Sequence, residues 1–115
     1  MSIFRVETYV VKSEKRDEFT SAMNEYLRYR ETHPDLLKGL KSWKILRQEY
    51  GAVAGMYMEI AEFDSLAELE TTVNRVHQDE GMKKLIKGFY ELVDPATLSD
   101  SIWSPVLAES WRKQS

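Results

Sequence analysis

The 115-residue sequence contains no cysteine. That one absence excludes disulfide frameworks, thiolate nucleophiles, cysteine-ligated zinc and iron–sulfur clusters, and it suits a reducing compartment. Histidine is scarce: His33 and His77 are the only two, and no carboxylate accompanies them at the spacing of a metal motif. Each ends an expected helix, where a histidine complements the negative end of the helix dipole; the functional alternatives for such a residue are proton carrier or haem ligand. The five glycines form no phosphate-cradling loop, and no G-x-S-x-G turn presents a serine nucleophile. No apolar stretch approaches the roughly 20 residues that cross a bilayer. The opening Met1-Ser2-Ile3-Phe4-Arg5 lacks the basic start and apolar core of a signal peptide. The expected location is therefore the cytoplasm, with no membrane partner.

Charge is nearly balanced, with 16 Lys and Arg against 19 Asp and Glu for a net −3. Such a balance creates no strong field for a phosphate backbone. The local cluster Lys83, Lys84 and Lys87 is interleaved with Met82, Leu85 and Ile86, the pattern of a helix with one wet face. No nucleic-acid partner is expected. Hydrophobic residues make up 43% and charged residues 30%, which places the chain among folded globular domains. Its length predicts a single domain, residues 1–106, followed by a C-terminal arm, residues 107–115.

Ile3 to Val11 is rich in β-branched and aromatic residues and reads as a strand. Both of its alternating sets contain apolar residues, so burial on both faces is expected. Ser13 is the expected N-cap of the first helix, with Glu14 in its first turn. Phe19, Met23, Tyr26 and Leu27 follow at helical spacing, and His33-Pro34 ends the helix. Leu40 to Tyr50 and Met56 to Phe63 read as a hairpin around the turn Gly51–Gly55. Ser65 and Glu68 have capping-box spacing at the start of the second helix. A break near Asp79-Glu80-Gly81 leads into another helix, which Asp94-Pro95 stops. Thr97 to Val106 is the expected fourth strand. The order strand, helix, strand, strand, helix pair, strand predicts an α+β, ferredoxin-like split βαβ fold. Its four-stranded antiparallel sheet carries helices on one face, and the other face needs a cover.

The segments Phe4-Arg5-Val6-Glu7-Thr8-Tyr9-Val10-Val11-Lys12, Asp17-Glu18-Phe19 and Glu59-Ile60-Ala61-Glu62-Phe63-Asp64-Ser65-Leu66-Ala67-Glu68-Leu69, taken with that element order, resemble the dimeric α/β-barrel superfamily. Within it, the opening is most similar to NIPSNAP-like proteins, and next to antibiotic-biosynthesis-monooxygenase-like proteins. NIPSNAP-like openings place Glu, then Arg, before Thr-Tyr; here Arg5 comes first and Glu7 second. The resemblance implies that two protomers pack sheet to sheet as a homodimer; from the sequence, Val106, Leu107 and Trp111 of the arm are expected to add to the interface.

Arg5, Glu7 and Tyr9 share one strand face, and Arg47, Tyr57 and Glu59 are candidates to join them from neighbouring strands. Two readings follow. In one, the patch lines a ligand cavity, with arginine binding an anion and glutamate acting as base. In the other, it is an ion-pair and hydrogen-bond network within the dimer barrel. Trp43 and His77 are secondary candidates. Haem-degrading members of the superfamily use an asparagine on the first strand and a tryptophan and a histidine on the second helix. This chain has Glu7 and Thr8 on that strand and no tryptophan on that helix, which argues against haem degradation. Antibiotic-type monooxygenases of the fold act without metal or flavin, and Tyr26, Tyr29, Trp43, Tyr57 and Tyr90 are candidates to line such a site. The expectation is a homodimer without cofactor or metal that binds a small apolar or aromatic molecule between sheet and helices, or a cofactor-independent monooxygenase-like enzyme. The RNA-recognition module shares the topology, but it needs basic and aromatic residues where the third strand has Met56, Met58, Glu59 and Glu62.

Overall fold

The computed structural model describes residues 2–107. Strands β1 (Ile3–Val10), β2 (Leu40–Arg47), β3 (Met56–Phe63) and β4 (Ser99–Trp103) form one antiparallel sheet in the order β2-β3-β1-β4. Helices α1 (Arg16–Thr32), α2 (Leu66–Gln78) and α3 (Glu80–Tyr90) connect them. This is the ferredoxin-like α+β arrangement that the element order predicts.

The helices cover one sheet face. Tyr9 on β1 meets Phe19 of α1 and Phe89 of α3 at ring-centroid distances of 6.0 and 5.0 Å, and Trp43 on β2 lies 6.1 Å from Tyr26 of α1. Because side chains alternate along a strand, the covered set on β1 is Ile3, Arg5, Glu7 and Tyr9. The register places Ala61, Glu59 and Tyr57 of β3 beside the last three of these. Phe4, Val6 and Thr8, with Met58 and Ile60 opposite them, form the other face. Within one chain, the expected two-sided burial of β1 is met only in part: Tyr9 is fully buried and the rest of the strand half-buried on both faces, while Leu46 of β2 and Trp103 of β4 on the open face are 47% and 59% exposed. The core gathers at one end, where Tyr9, Val11, Phe19, Leu92 and Val93 are buried together.

Several local expectations hold. Ser65 accepts a hydrogen bond from the Glu68 amide at 3.1 Å, and Asp79 separates α2 from α3 by capping α3 through the Met82 amide at 2.9 Å. Others need correction. Ser13 does not cap α1: Ser13–Lys15 form a 3-10 turn ahead of it, and the Ser13 hydroxyl donates to Glu14. Strand β2 stops at Arg47 rather than Tyr50: the Gln48 amide still donates to the Met56 carbonyl at 2.9 Å, but its side chain belongs to the turn, where it accepts from the Val53 amide. Strand β4 is shorter than Thr97–Val106, since Pro95–Thr97 form a 3-10 turn in which Asp94 accepts from the Ala96 amide. Val106 and Leu107 are exposed beyond it. The remainder of the expected C-terminal arm, Trp111 included, lies outside the described residues.

Candidate functional site

Away from the Tyr9 core, the sheet and helices separate around a cavity of about 190 Å³. Its floor holds Arg5, Glu7, Trp43 and Glu59 from three strands. Met23 and Tyr26 of α1, Val73, Val76 and His77 of α2, and Met82, Ile86, Phe89 and Tyr90 of α3 form most of the rest. Helical spacing explains the apolar members: Val73 and Val76, or Met82, Ile86 and Phe89, recur every three or four residues and so turn one face toward the sheet.

The polar residues are held unequally. Glu59 accepts from the Tyr9 hydroxyl on one oxygen at 2.7 Å and from the Trp43 indole N–H on the other at 3.0 Å. Glu7 stands opposite Glu59 in the β1–β3 register. Among residues 2–107 its carboxylate accepts no hydrogen bond; its nearest cation is Arg5, whose Nε lies 3.7 Å away. Burial pushes the Glu7 carboxyl above its usual range, and Glu59 adds to that shift while Arg5 opposes it. Burial, reinforced by Glu59, likewise raises the Tyr9 hydroxyl. Burial also raises the hydroxyls of Tyr26 and Tyr90.

Arg5 is engaged elsewhere. Its Nη2 donates to Asp100 Oδ2 at 2.7 Å and its Nε to Oδ1 at 3.1 Å, a two-pronged pair with the edge strand β4. The hydrogen bond to Asp100 holds the guanidinium above its ordinary value. The pair commits Nε and Nη2 to Asp100, while Nη1 donates to no residue among 2–107.

The expected cluster is thus divided. Arg5, Glu7, Trp43, Glu59 and His77 line the cavity, and Tyr9 touches it through Glu59. Tyr57 and Arg47 lie toward the hairpin. Tyr57 stacks on Tyr9 at 6.1 Å, and Arg47 pairs with Glu49 at 2.9 Å. Tyr26 and Tyr90 line the cavity, whereas Tyr29 leaves it to bond Asp79. Sequence reasoning missed Asp100. The available signal is the Ser99-Asp100-Ser101 alternation, which puts Asp100 on the Arg5 face only once the Glu7–Asp100 register is known. Among the described residues, no three His, Asp or Glu side chains converge as a metal site requires.

The geometry defines a ferredoxin-like α+β protein with a cavity between its sheet and helices. No family model matches the chain, and no curated protein matches it. Solved structures do. A NIPSNAP family protein from Agrobacterium tumefaciens str. C58 superposes with a TM-score of 0.75 at 14% identity, over 94% of this chain and 89% of that one. A candidate antibiotic biosynthesis monooxygenase from Caulobacter crescentus CB15 gives 0.69 at 14% identity, over 92% and 91%. SnoaB, a cofactor-independent oxygenase from Streptomyces nogalater, gives 0.64 at 13%, over 93% and 95%. The likeness at these identities is one of fold, and it is the fold of the two groups that the sequence resembles.

Proposed function

We propose that the protein is a homodimeric α/β barrel that holds a small apolar or aromatic molecule between sheet and helices. The observation that carries the reading is the cavity itself, about 190 Å³ bounded mainly by apolar and aromatic side chains with few polar ones. A dry apolar cavity of about 150 Å³ accommodates benzene, so a single substituted ring is of suitable size. The folded domain extends to residue 106, and the arm beyond it adds to the dimer interface. The test is binding of small aromatic compounds followed by NMR shifts, in the wild type and in Val73→Trp, which fills the cavity. Saturable shifts lost in Val73→Trp support the reading; shifts unchanged by the substitution place binding elsewhere and overturn it.

A second reading, a cofactor-independent monooxygenase-like enzyme, is favoured by Glu7. A half-buried carboxylate without a hydrogen-bond donor, its proton affinity raised by burial, is suited to general-base work. The fold shared with SnoaB agrees with it. In this reading Glu7 removes a proton from a weakly acidic ring substituent, and Tyr9, Trp43 and Glu59 maintain the floor beside it. Oxygen uptake that depends on an added phenolic substrate and is lost in Glu7→Gln supports it; equal uptake by wild type and Glu7→Gln overturns the role of Glu7.

A further inference from the structure

We infer that Asp100 is a positioning residue for Glu7: by holding the Arg5 guanidinium in a two-pronged pair, it keeps the nearest cation from closing on Glu7 and so leaves the Glu7 carboxylate able to take up a proton. The inference rests on the general-base reading of Glu7 and goes beyond it by naming the residue that maintains that state.

Register puts the three acids together. Glu7 stands opposite Glu59 of β3 on one side and opposite Asp100 of β4 on the other, so three carboxylates form one row across the helix-covered face. Like charges directly opposite one another on a sheet are destabilising. The outer two are offset. Glu59 accepts from the Tyr9 hydroxyl and the Trp43 indole N–H, and Asp100 accepts from Arg5 Nη2 at 2.7 Å and from Nε at 3.1 Å. Glu7, in the middle, accepts no hydrogen bond from residues 2–107, and the Arg5 Nε lies 3.7 Å from it.

The choice of partner for Arg5 is the second observation. Arg5 and Glu7 lie two residues apart on β1 with side chains on the same face, and at 3.7 Å a small side-chain rotation brings them into hydrogen-bond contact. The guanidinium is instead placed on Asp100, whose side chain is 50% exposed against 30% for Glu7. An ion pair gains more where water screens it less. By that criterion alone the cation belongs on Glu7; the two-pronged geometry offered by Asp100 across the β1–β4 ladder outweighs it. The more buried carboxylate is left with its charge less offset than that of its exposed neighbour. Burial raises the Glu7 carboxyl, Arg5 opposes that, and Glu59 and Asp100 add to it. Asp100 thus acts on Glu7 twice, through its own charge and through the position of Arg5.

The helices bring no lysine or arginine to this cavity wall that could take the place of Arg5. Tyr26 of α1, His77 of α2 and Tyr90 of α3 are the titratable side chains they contribute. Tyrosine is neutral at pH 7, and burial raises both of these hydroxyls further. His77 is common to every variant compared below, so its charge cancels from the differences.

The test is titration of the Glu7 carboxyl by carbon-13 NMR, its signal assigned by its loss in Glu7→Gln. In Asp100→Asn the midpoint is expected to fall toward the ordinary glutamate value, because a neighbouring charge is gone and Arg5 is free to turn to Glu7. Asp100→Ser, a second neutral variant, is expected to give the same fall, and Asp100→Glu, which still holds the guanidinium, a smaller one. The comparison is then repeated in an Arg5→Met background, where Asp100→Asn removes its own charge alone and the fall is expected to shrink. A midpoint that neither neutral variant lowers, in proteins with the circular dichroism spectrum of the wild type, overturns the inference. An equal fall with and without Arg5 also overturns it, since the whole effect then belongs to the charge of Asp100 and none to the guanidinium. The titration uses no substrate and is read apart from oxygen uptake: equal uptake by wild type and Glu7→Gln removes the general-base reading, whereas the midpoints alone decide the role of Asp100.

Discussion

Glu7 and Glu59 are direct partners across β1 and β3, yet they are held in opposite ways. Each Glu59 oxygen has a fixed donor, Tyr9 on one side and Trp43 on the other. Glu7 has only the guanidinium of Arg5 at 3.7 Å, and that guanidinium is turned to Asp100. Two carboxylates side by side with different environments permit different roles: Glu59 ties Tyr9 and Trp43 to β3, whereas Glu7 faces the cavity beside Arg5.

Glu59 is therefore expected to matter for folding more than for binding. Glu59→Ala strands the buried Tyr9 hydroxyl and the Trp43 N–H, and an unsatisfied buried polar group costs about 1–3 kcal/mol. A loss of about 2–4 kcal/mol is expected in urea denaturation, allowing for partial access of water to Trp43. Glu59→Gln retains one acceptor oxygen and should lose less. Equal losses for Ala and Gln would show that packing, not the two hydrogen bonds, sets the value.

Glu7 predicts a pH dependence of definite sign. Its carboxyl is raised in the folded protein by burial, so the native state binds the proton more tightly than the unfolded chain. Stability must then fall as pH rises from the ordinary glutamate range through the raised native value. Above that window the full cost of burying the charge is present; below it the cost is absent. Glu7→Gln should accordingly raise Tm at pH 7 relative to wild type, with the difference shrinking as pH falls through that window and absent below about 4.5. A difference independent of pH would remove the titration of Glu7 as its cause.

Much of the fold is legible because period and punctuation agree. Alternation in Phe4–Val10, the Ser65–Glu68 cap and the Asp79 break each act through neighbours in sequence, and each is present. What is not legible depends on residues distant in sequence. Thr97 looks like a strand residue by propensity, but its hydroxyl accepts from the Val10 amide at 2.9 Å while it sits in a 3-10 turn. The site divides in the same manner. Alternation alone puts Arg5, Glu7 and Tyr9 on one face, whereas only the register places Glu59 beside Glu7 and Tyr57 beside Tyr9. That offset of two residues, about 7 Å along a strand, separates Tyr57 and Arg47 from the cavity.

Gly81 supplies a prediction about the helix junction. A methyl group added there meets the Tyr29 hydroxyl and ring, so the glycine is required for the close approach of α1 to α3. Tyr29 donates to Asp79 at 2.5 Å, and Asp79 in turn caps α3 through Met82. Gly81→Ala should displace Tyr29 and cost about 1–3 kcal/mol despite the better helix propensity of alanine. In a Tyr29→Ala background the clash is gone, and the same substitution should become neutral or stabilising. A thermal-denaturation double-mutant cycle measures the difference; additive effects would deny the contact its role.

The open sheet face predicts the oligomeric state. Val6 stands opposite Ile60, and Thr8 and Leu46 both lie beside Met58, on the side that no helix of the same chain covers. Fully burying one such aliphatic side chain is worth about 1.5–3 kcal/mol, so a two-fold partner that covers several of them gains far more than an exposed polar pair supplies. Leu46 is already half exposed, and placing a charge there costs the monomer little. Leu46→Glu should therefore leave the circular dichroism spectrum and the aromatic core intact while shifting the sedimentation coefficient from dimer to monomer at micromolar concentration. Ile60→Lys, nearer the middle of the face, should act more strongly. A wild-type protein that sediments as a monomer at micromolar concentration would overturn the dimer.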